Sequence, residues 1–225
     1  MRILFVIFLT VFSCSTVLGT AQYGDRIIYN GKEYTLDTDK LFGRYLMESY
    51  FEKYPDRHPG GSMMSTGLYR GYVSIFEIKD NILYLKDIVL PVSVATDEIG
   101  YYKTEWKSII NNVFSNQEVI KIDWLTGLLV LPFGETVGSL QFYGDNPTYE
   151  NYILLEIDKG ILKKEKQFDY KEYEEFKEKQ FQALKKSEEY EKIKADFLKS
   201  RWSDDDISSW IQRNIIDYSS KILVE

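Results

Sequence analysis

The chain has 225 residues, 44% hydrophobic and 28% charged, enough for one domain, or one domain with an appendage, around an ordinary core. Its formal net charge of -7 argues against non-specific nucleic-acid binding, which needs a basic face. One histidine and one cysteine leave almost no material for a histidine-based triad or a common zinc site.

The chain opens MRILFVIFLTVFSCSTVLGTAQ, with a positive charge at Arg2, an apolar run from Ile3 to Phe12, and small or polar residues after it. This is the layout of a secretory signal peptide, expected over residues 1–21, and the run is too short to anchor in a bilayer. Cleavage after Gly19 or Ala21 would start the mature chain near Gln22, without cysteine. In the alternative reading, Val-Phe-Ser-Cys resembles a lipobox and Cys14 is lipidated as the first mature residue, although Phe12 matches that pattern poorly. The protein is therefore expected to be secreted or periplasmic, or in the alternative lipid-anchored to the cell envelope. Neither reading allows an intrachain disulfide, and no later stretch is a transmembrane candidate.

RIIYNGKEYTL places Asn30-Gly31 between two alternating runs, and Asn-Gly suits a type I′ turn, so a β-hairpin is predicted. A short helix before Pro55 follows, weakened by Gly43, and then a loop rich in Pro, Gly and Ser over residues 54–67. The next hairpin turns at Lys79-Asp80-Asn81 and its second strand is expected to end at Pro91. Tyr72, Ser74, Phe76 and Ile78 point to one face, with Val73, Ile75 and Glu77 on the other. In KTEWKSIINNVF, the spacing of Trp106, Ile109, Ile110, Val113 and Phe114 predicts a helix against the core. VIKIDWLTGLLVLPFG reads as two strands with a bend near Thr126-Gly127, the second stopped by Pro132. VGSLQFYG and YENYILLEIDKGILKKEKQ add two or three more strands, the last two joined at Asp158-Lys159-Gly160.

From about Phe168 the pattern becomes helical. A stretch dense in Glu and Lys, without Gly or Pro, carries an apolar stripe that includes Tyr173, Phe176 and Leu184, as one long helix or two in series. Ser203 can cap a further helix, with three aspartates in its first turn and Ile207, Trp210, Ile211 and Ile215 as its buried stripe. SKILVE reads as a last short strand.

Candidate chemistry is sparse. His58, in the Pro/Gly loop, reads as solvated. GGSMM lacks the second glycine of a nucleophile elbow, Asp37-Thr38-Asp39 lacks the rest of a calcium loop, and no phosphate loop is present. Glu77, Asp87 and Asp123 fall in or beside apolar strands, with Arg70 nearby, and two carboxylates suffice for glycoside hydrolysis. An outward-facing acid or a structural ion pair explains such residues as well. Tyr69, Tyr72, Phe76, Trp124, Phe142 and Tyr143 cluster on predicted strands, which suits a sugar ring or a protein partner, or a packed core.

YRGYVSIFEIKDNILYLKDI, WLTGLLVLPFG and YENYILLEI together resemble a group of bacterial proteins that share an aromatic-Arg-Gly-Tyr, Glu-Ile, Leu-Tyr-Leu hairpin and a Thr-Gly-Leu-Leu segment. The likeness covers about residues 29–157. No activity is established for that group, so it implies nothing catalytic.

These readings define an α+β protein: a mainly antiparallel sheet packed on the Trp106 helix over residues 22–166, and a charged helical C-terminal segment over 167–225. The function expected is that of a non-enzymatic exported protein that binds a protein or glycan, with Arg70, Tyr72, Glu77, Asp123 and Trp124 as candidate binding residues. No catalytic residue, metal or cofactor is assigned. Alternatives are a carboxylate-based periplasmic glycan hydrolase and an exported inhibitor or immunity-like protein.

Overall fold

The computed structural model describes residues 23–36, 46–59, 67, 68, 70–96, 101–115, 119–137, 147–200 and 202–224. The expected leader with Cys14, and the strand read in VGSLQFYG beyond Val137, lie outside the described residues. Among the described residues nine strands form one sheet: β1 (Arg26–Tyr29), β2 (Lys32–Thr35), β3 (Val73–Lys79), β4 (Ile82–Ala95), β5 (Tyr102–Ser108), β6 (Ile120–Lys121), β7 (Gly127–Thr136), β8 (Tyr149–Asp158) and β9 (Ile161–Asp169). The order is β2-β1-β3-β4-β9-β8-β7, with β5 and β6 on the β9 side of the long strand β4. Every pair is antiparallel except β1 with β3. The α+β expectation holds.

Turn chemistry builds three of the hairpins, β1–β2, β3–β4 and β8–β9. Their central residues are Asn30-Gly31, Asp80-Asn81 and Lys159-Gly160, all with positive φ, as a two-residue turn between right-twisting strands requires. The sheet curls until its two terminal strands meet: the Tyr34 ring of β2 stands edge-on to Phe133 of β7 at 6.3 Å, and the Lys32 ammonium lies over both rings. Inside the curl, Ile27, Tyr72, Phe76, Leu131 and Leu155 are fully buried, and α1 (Glu48–Lys53) adds Tyr50 and Phe51 to the same core. Tyr29 reaches across to donate a 2.6 Å hydrogen bond to Glu165, and burial together with that carboxylate pushes its phenol up to about 12.

β7 and β8 are covered on both faces. Their outer side chains, including Val130, Tyr152 and Leu154, meet Tyr173 and Phe176 of α3 (Tyr170–Leu184), with Tyr152 and Tyr173 stacked at 4.2 Å. Asp169 starts α3 with a capping box closed by Glu172. The segment continues as α4 (Glu188–Leu198) and α5 (Asp204–Arg213), capped by Ser187 and Ser203. Phe181, Leu184, Tyr190, Ile207 and Ile211 close a second core between these helices.

Four expectations need correction. Residues 102–108 are strand, and only Ile110–Val113 form a helix, α2, so the sheet packs on α3 and α1 rather than on a Trp106 helix. KTEWKS alternates with period two as well as fitting a helix, and the open edge of β4 decides between them. β4 does not stop at Pro91. The bonds Thr96 N–H to Tyr101 C=O and Ile109 N–H to Ile88 C=O fix the ladder phase, in which Pro91, opposite Trp106, turns its nitrogen away from β5. The missing N–H therefore costs no ladder bond. β7 runs through Pro132, which a terminal strand tolerates for the same reason. Residues 220–224 form no strand: side chains satisfy that backbone instead, with Ile222 N–H on Glu156, Leu223 N–H on Gln180 and the Val224 carbonyl on Lys166.

Gly160 joins three pieces of the sheet. Its N–H donates to the Leu125 carbonyl at 2.9 Å, its carbonyl accepts from Leu83 N–H at 2.8 Å, and a Cβ there would collide with the Ile122 carbonyl. Gly31 has the same sign of φ but open space around it. Gly160→Ala is expected to lower unfolding free energy by about 3–5 kcal/mol and Gly31→Ala by only about 1–2, measured by urea denaturation. Equal effects at the two sites would contradict the collision.

Candidate functional site

Of the residues nominated from the sheet, Arg70, Tyr72 and Trp124 make hydrogen bonds within the fold. Gly71, with φ of 80°, makes the turn that swings Arg70 inward. The Arg70 guanidinium forks onto Asp25, with Nη1 to Oδ2 at 3.0 Å and Nη2 to Oδ1 at 2.8 Å, and its Nε donates to the Tyr72 carbonyl at 2.6 Å. Asp25 Oδ1 also accepts from Ser74 N–H at 2.7 Å. Both charged side chains are almost wholly buried. Burial pushes the Asp25 carboxyl above its ordinary range, and the Arg70 charge and the Ser74 N–H act against that push.

Tyr72 is fully buried in the main core and donates to Glu48 at 3.0 Å; burial and the neighbouring carboxylate drive its phenol far up. Glu77 is half-buried and meets Lys86 at 3.4 Å. Asp123 is exposed, and Trp124 packs at 5.1 Å from Tyr50 with its indole N–H on the Leu46 carbonyl. Asp87 accepts from Ser108 Oγ and Ile88 N–H. His58 is exposed, its ring 5.0 Å from Phe51 and 5.8 Å from Tyr72. Glu77 and Asp123 thus share no partner, whereas Arg70 and Tyr72 are drawn together by the Arg70–Tyr72 carbonyl bond.

A cleft the sequence did not disclose lies in the helical segment. In α5, Ile207 and Ile211 are fully buried, so residues on the opposite side of the turn are presented outward. Asp206, Ser209, Trp210 and Arg213 recur at helical spacing on that side, and with Ser200 and Trp202 they line a cavity of ≈ 560 Å³. Trp210, expected in the buried stripe, is half-buried and forms a wall of this cleft, while Ile207, Ile211 and Ile215 fill the core. The Trp202 ring stands edge-on to Trp210 at 5.8 Å and packs on Phe197 at 5.3 Å. The Trp210 indole N–H donates to the Tyr218 hydroxyl at 3.0 Å, which fixes the ring. An ion pair of 2.7 Å between Lys194 and Asp204 holds α4 against the start of α5, and that hydrogen bond raises the Lys194 ammonium above its usual range.

The wall is therefore two oriented indoles, and the polar groups beside them are one carboxylate, two serine hydroxyls and one guanidinium. A smaller cavity of ≈ 300 Å³ lies where the start of β7 meets the helices, bordered by Leu46, Leu125, Glu189 and Ser220. Among the described residues no cluster of three or more His, Cys, Asp or Glu side chains can hold a metal ion, and no helix is long and apolar enough to cross a membrane. No protein-family model, no curated protein and no solved structure matches the chain.

Asp25 was missed because its partner Arg70 lies 45 residues away and no local pattern links them. The cleft left a readable trace: Asp206, Ser209, Trp210 and Arg213 fall at i, i+3, i+4 and i+7, a second face beside the apolar stripe. Asp25→Ala, which strands a buried guanidinium, is expected to cost about 3–5 kcal/mol in urea unfolding. Glu77→Ala, at a pair open to water, should cost about 1 kcal/mol or less. A loss at Asp25 no larger than at Glu77 would show that the buried pair is not structural.

Proposed function

We propose that the protein is an exported, non-enzymatic binding protein that holds a saccharide in the Trp202–Trp210 cleft. The observation that carries this reading is the pair of oriented, half-buried indoles beside an open cleft. An indole face stacks on the apolar C–H face of a sugar, while Asp206 and Arg213 can exchange hydrogen bonds with ring hydroxyls. Two-carboxylate hydrolysis is disfavoured at this site, since Asp206 is the only acid lining the cleft among the described residues. The N-terminal layout supports export.

Titration with oligosaccharide fragments of bacterial envelope glycans, followed by tryptophan emission, tests the reading. A saturable change is expected, and Trp202→Ala should weaken it about tenfold or more. Emission that stays flat for all fragments, or an unaltered affinity in Trp202→Ala, would reject the cleft as the binding site. Mass spectrometry of protein recovered from the expressing bacterium should find an N-terminus near Gln22. A diacylglyceryl group on Cys14 would establish the anchored form instead, and an intact leader would refute export.

A further inference from the structure

We propose that the protein self-associates through the open edge of β5, two copies pairing antiparallel about a two-fold axis at Thr104. β5 pairs with β4 on one side, and no described residue pairs with its other side. All seven of its residues are exposed, and at its start Tyr101 and Tyr102 are 66% and 70% exposed. The second half of β4 and β5 thus form a two-stranded arm with an unsatisfied edge, the arrangement that invites strand addition.

The ladder phase determines which groups face that edge. Tyr101 and Ile109 bond to β4, so along this unbroken register the odd-numbered residues of β5 face β4. Tyr102, Thr104, Trp106 and Ser108 therefore direct their N–H and C=O groups outward. Pairing Thr104 with its own counterpart sets Tyr102 against Trp106 of the second copy, and the reverse, closing about six backbone hydrogen bonds.

Side chains then complement one another. A two-fold axis normal to the sheet keeps each residue on its own face. Lys103 falls opposite Glu105 of the second copy and Glu105 opposite its Lys103, in the closely spaced, non-hydrogen-bonded positions where side chains interact most. Tyr102 meets Trp106 on the other face, beside the Tyr23 ring that already packs edge-on to Trp106 at 5.5 Å. A register centred on Glu105 would set Glu105 against Glu105 and Lys103 against Lys107. One centred on Trp106 would crowd two rings that each already hold Tyr23 and Arg26. Lysines on an edge strand ordinarily keep other strands away. Here Glu105, between Lys103 and Lys107, turns that defence into self-recognition.

Analytical ultracentrifugation of the purified protein from about 1 µM to about 1 mM tests the proposal, because one strand-to-strand seam gives a dimer of roughly micromolar affinity. Thr104→Pro removes an outward N–H and leaves the β4 ladder intact, so it should abolish the dimer with the circular dichroism spectrum unchanged. Lys103→Glu and Glu105→Lys should each weaken self-association about tenfold or more, through like charges facing across the seam. An equimolar mixture of these two variants should dimerise as the unsubstituted protein does, since each then supplies the charge the other lacks. A protein that stays monomeric throughout the range overturns the proposal. So does a dimer that all three substitutions leave unchanged, or a mixture no tighter than its components.

Discussion

The buried fork between Arg70 and Asp25 fixes how the first strand enters the sheet. β1 and β3 are the single parallel pair among the described strands, and a parallel pair has no tight turn to set its register. Asp25, one residue before β1, supplies that register by binding Ser74 N–H at the start of β3 and the guanidinium of the turn that leads into it. The Leu36 N–H on the Asp25 carbonyl ties the end of β2 to the same point. The β1–β2 hairpin is thereby held where Tyr34 can meet Phe133 and close the curl. Arg70 thereby anchors the topology of the first strands.

Where a ligand can sit follows from that closure. The interior of the curled sheet is filled by side chains, and β7 and β8 are covered outside by α3. Tyr29, Phe76 and Tyr152 of the strands are therefore core, whereas Tyr102 and Trp106 on the β5 arm are exposed. The helical segment has its own core behind Ile207 and Ile211, so the outer side of α5 can carry large side chains without weakening the sheet. Trp202 and Trp210 sit there. The β5 arm lies beyond both cores and offers backbone rather than pockets, which suits a partner strand.

The sequence disclosed the features that arise locally. Asn30-Gly31, Asp80-Asn81 and Lys159-Gly160 announce their turns because positive φ at two successive positions restricts the residue choice. Ser203 before three aspartates announces a helix start. Residues 102–108 misled because their polar-apolar pattern satisfies both periods, and only the presence of a vacant β4 edge selects the strand. Pro91 and Pro132 misled because a proline stops a strand only when its nitrogen faces a neighbour, which a single sequence does not reveal. Asp25 with Arg70, and the side-chain bonds that hold residues 222–224, are long-range pairings without periodic signature. Trp210 shows the same limit within one helix, since the apolar stripe had one member too many for its core.

A double-mutant cycle on Asp25 and Arg70, each changed to Ala singly and together, tests whether the fork sets the register of β1 on β3. If the fork sets the register, the two single losses should each be severe and the double loss far smaller than their sum, with a coupling energy above about 2 kcal/mol in urea unfolding. Losses that simply add would mean that the two residues act separately and that another contact places β1 beside β3.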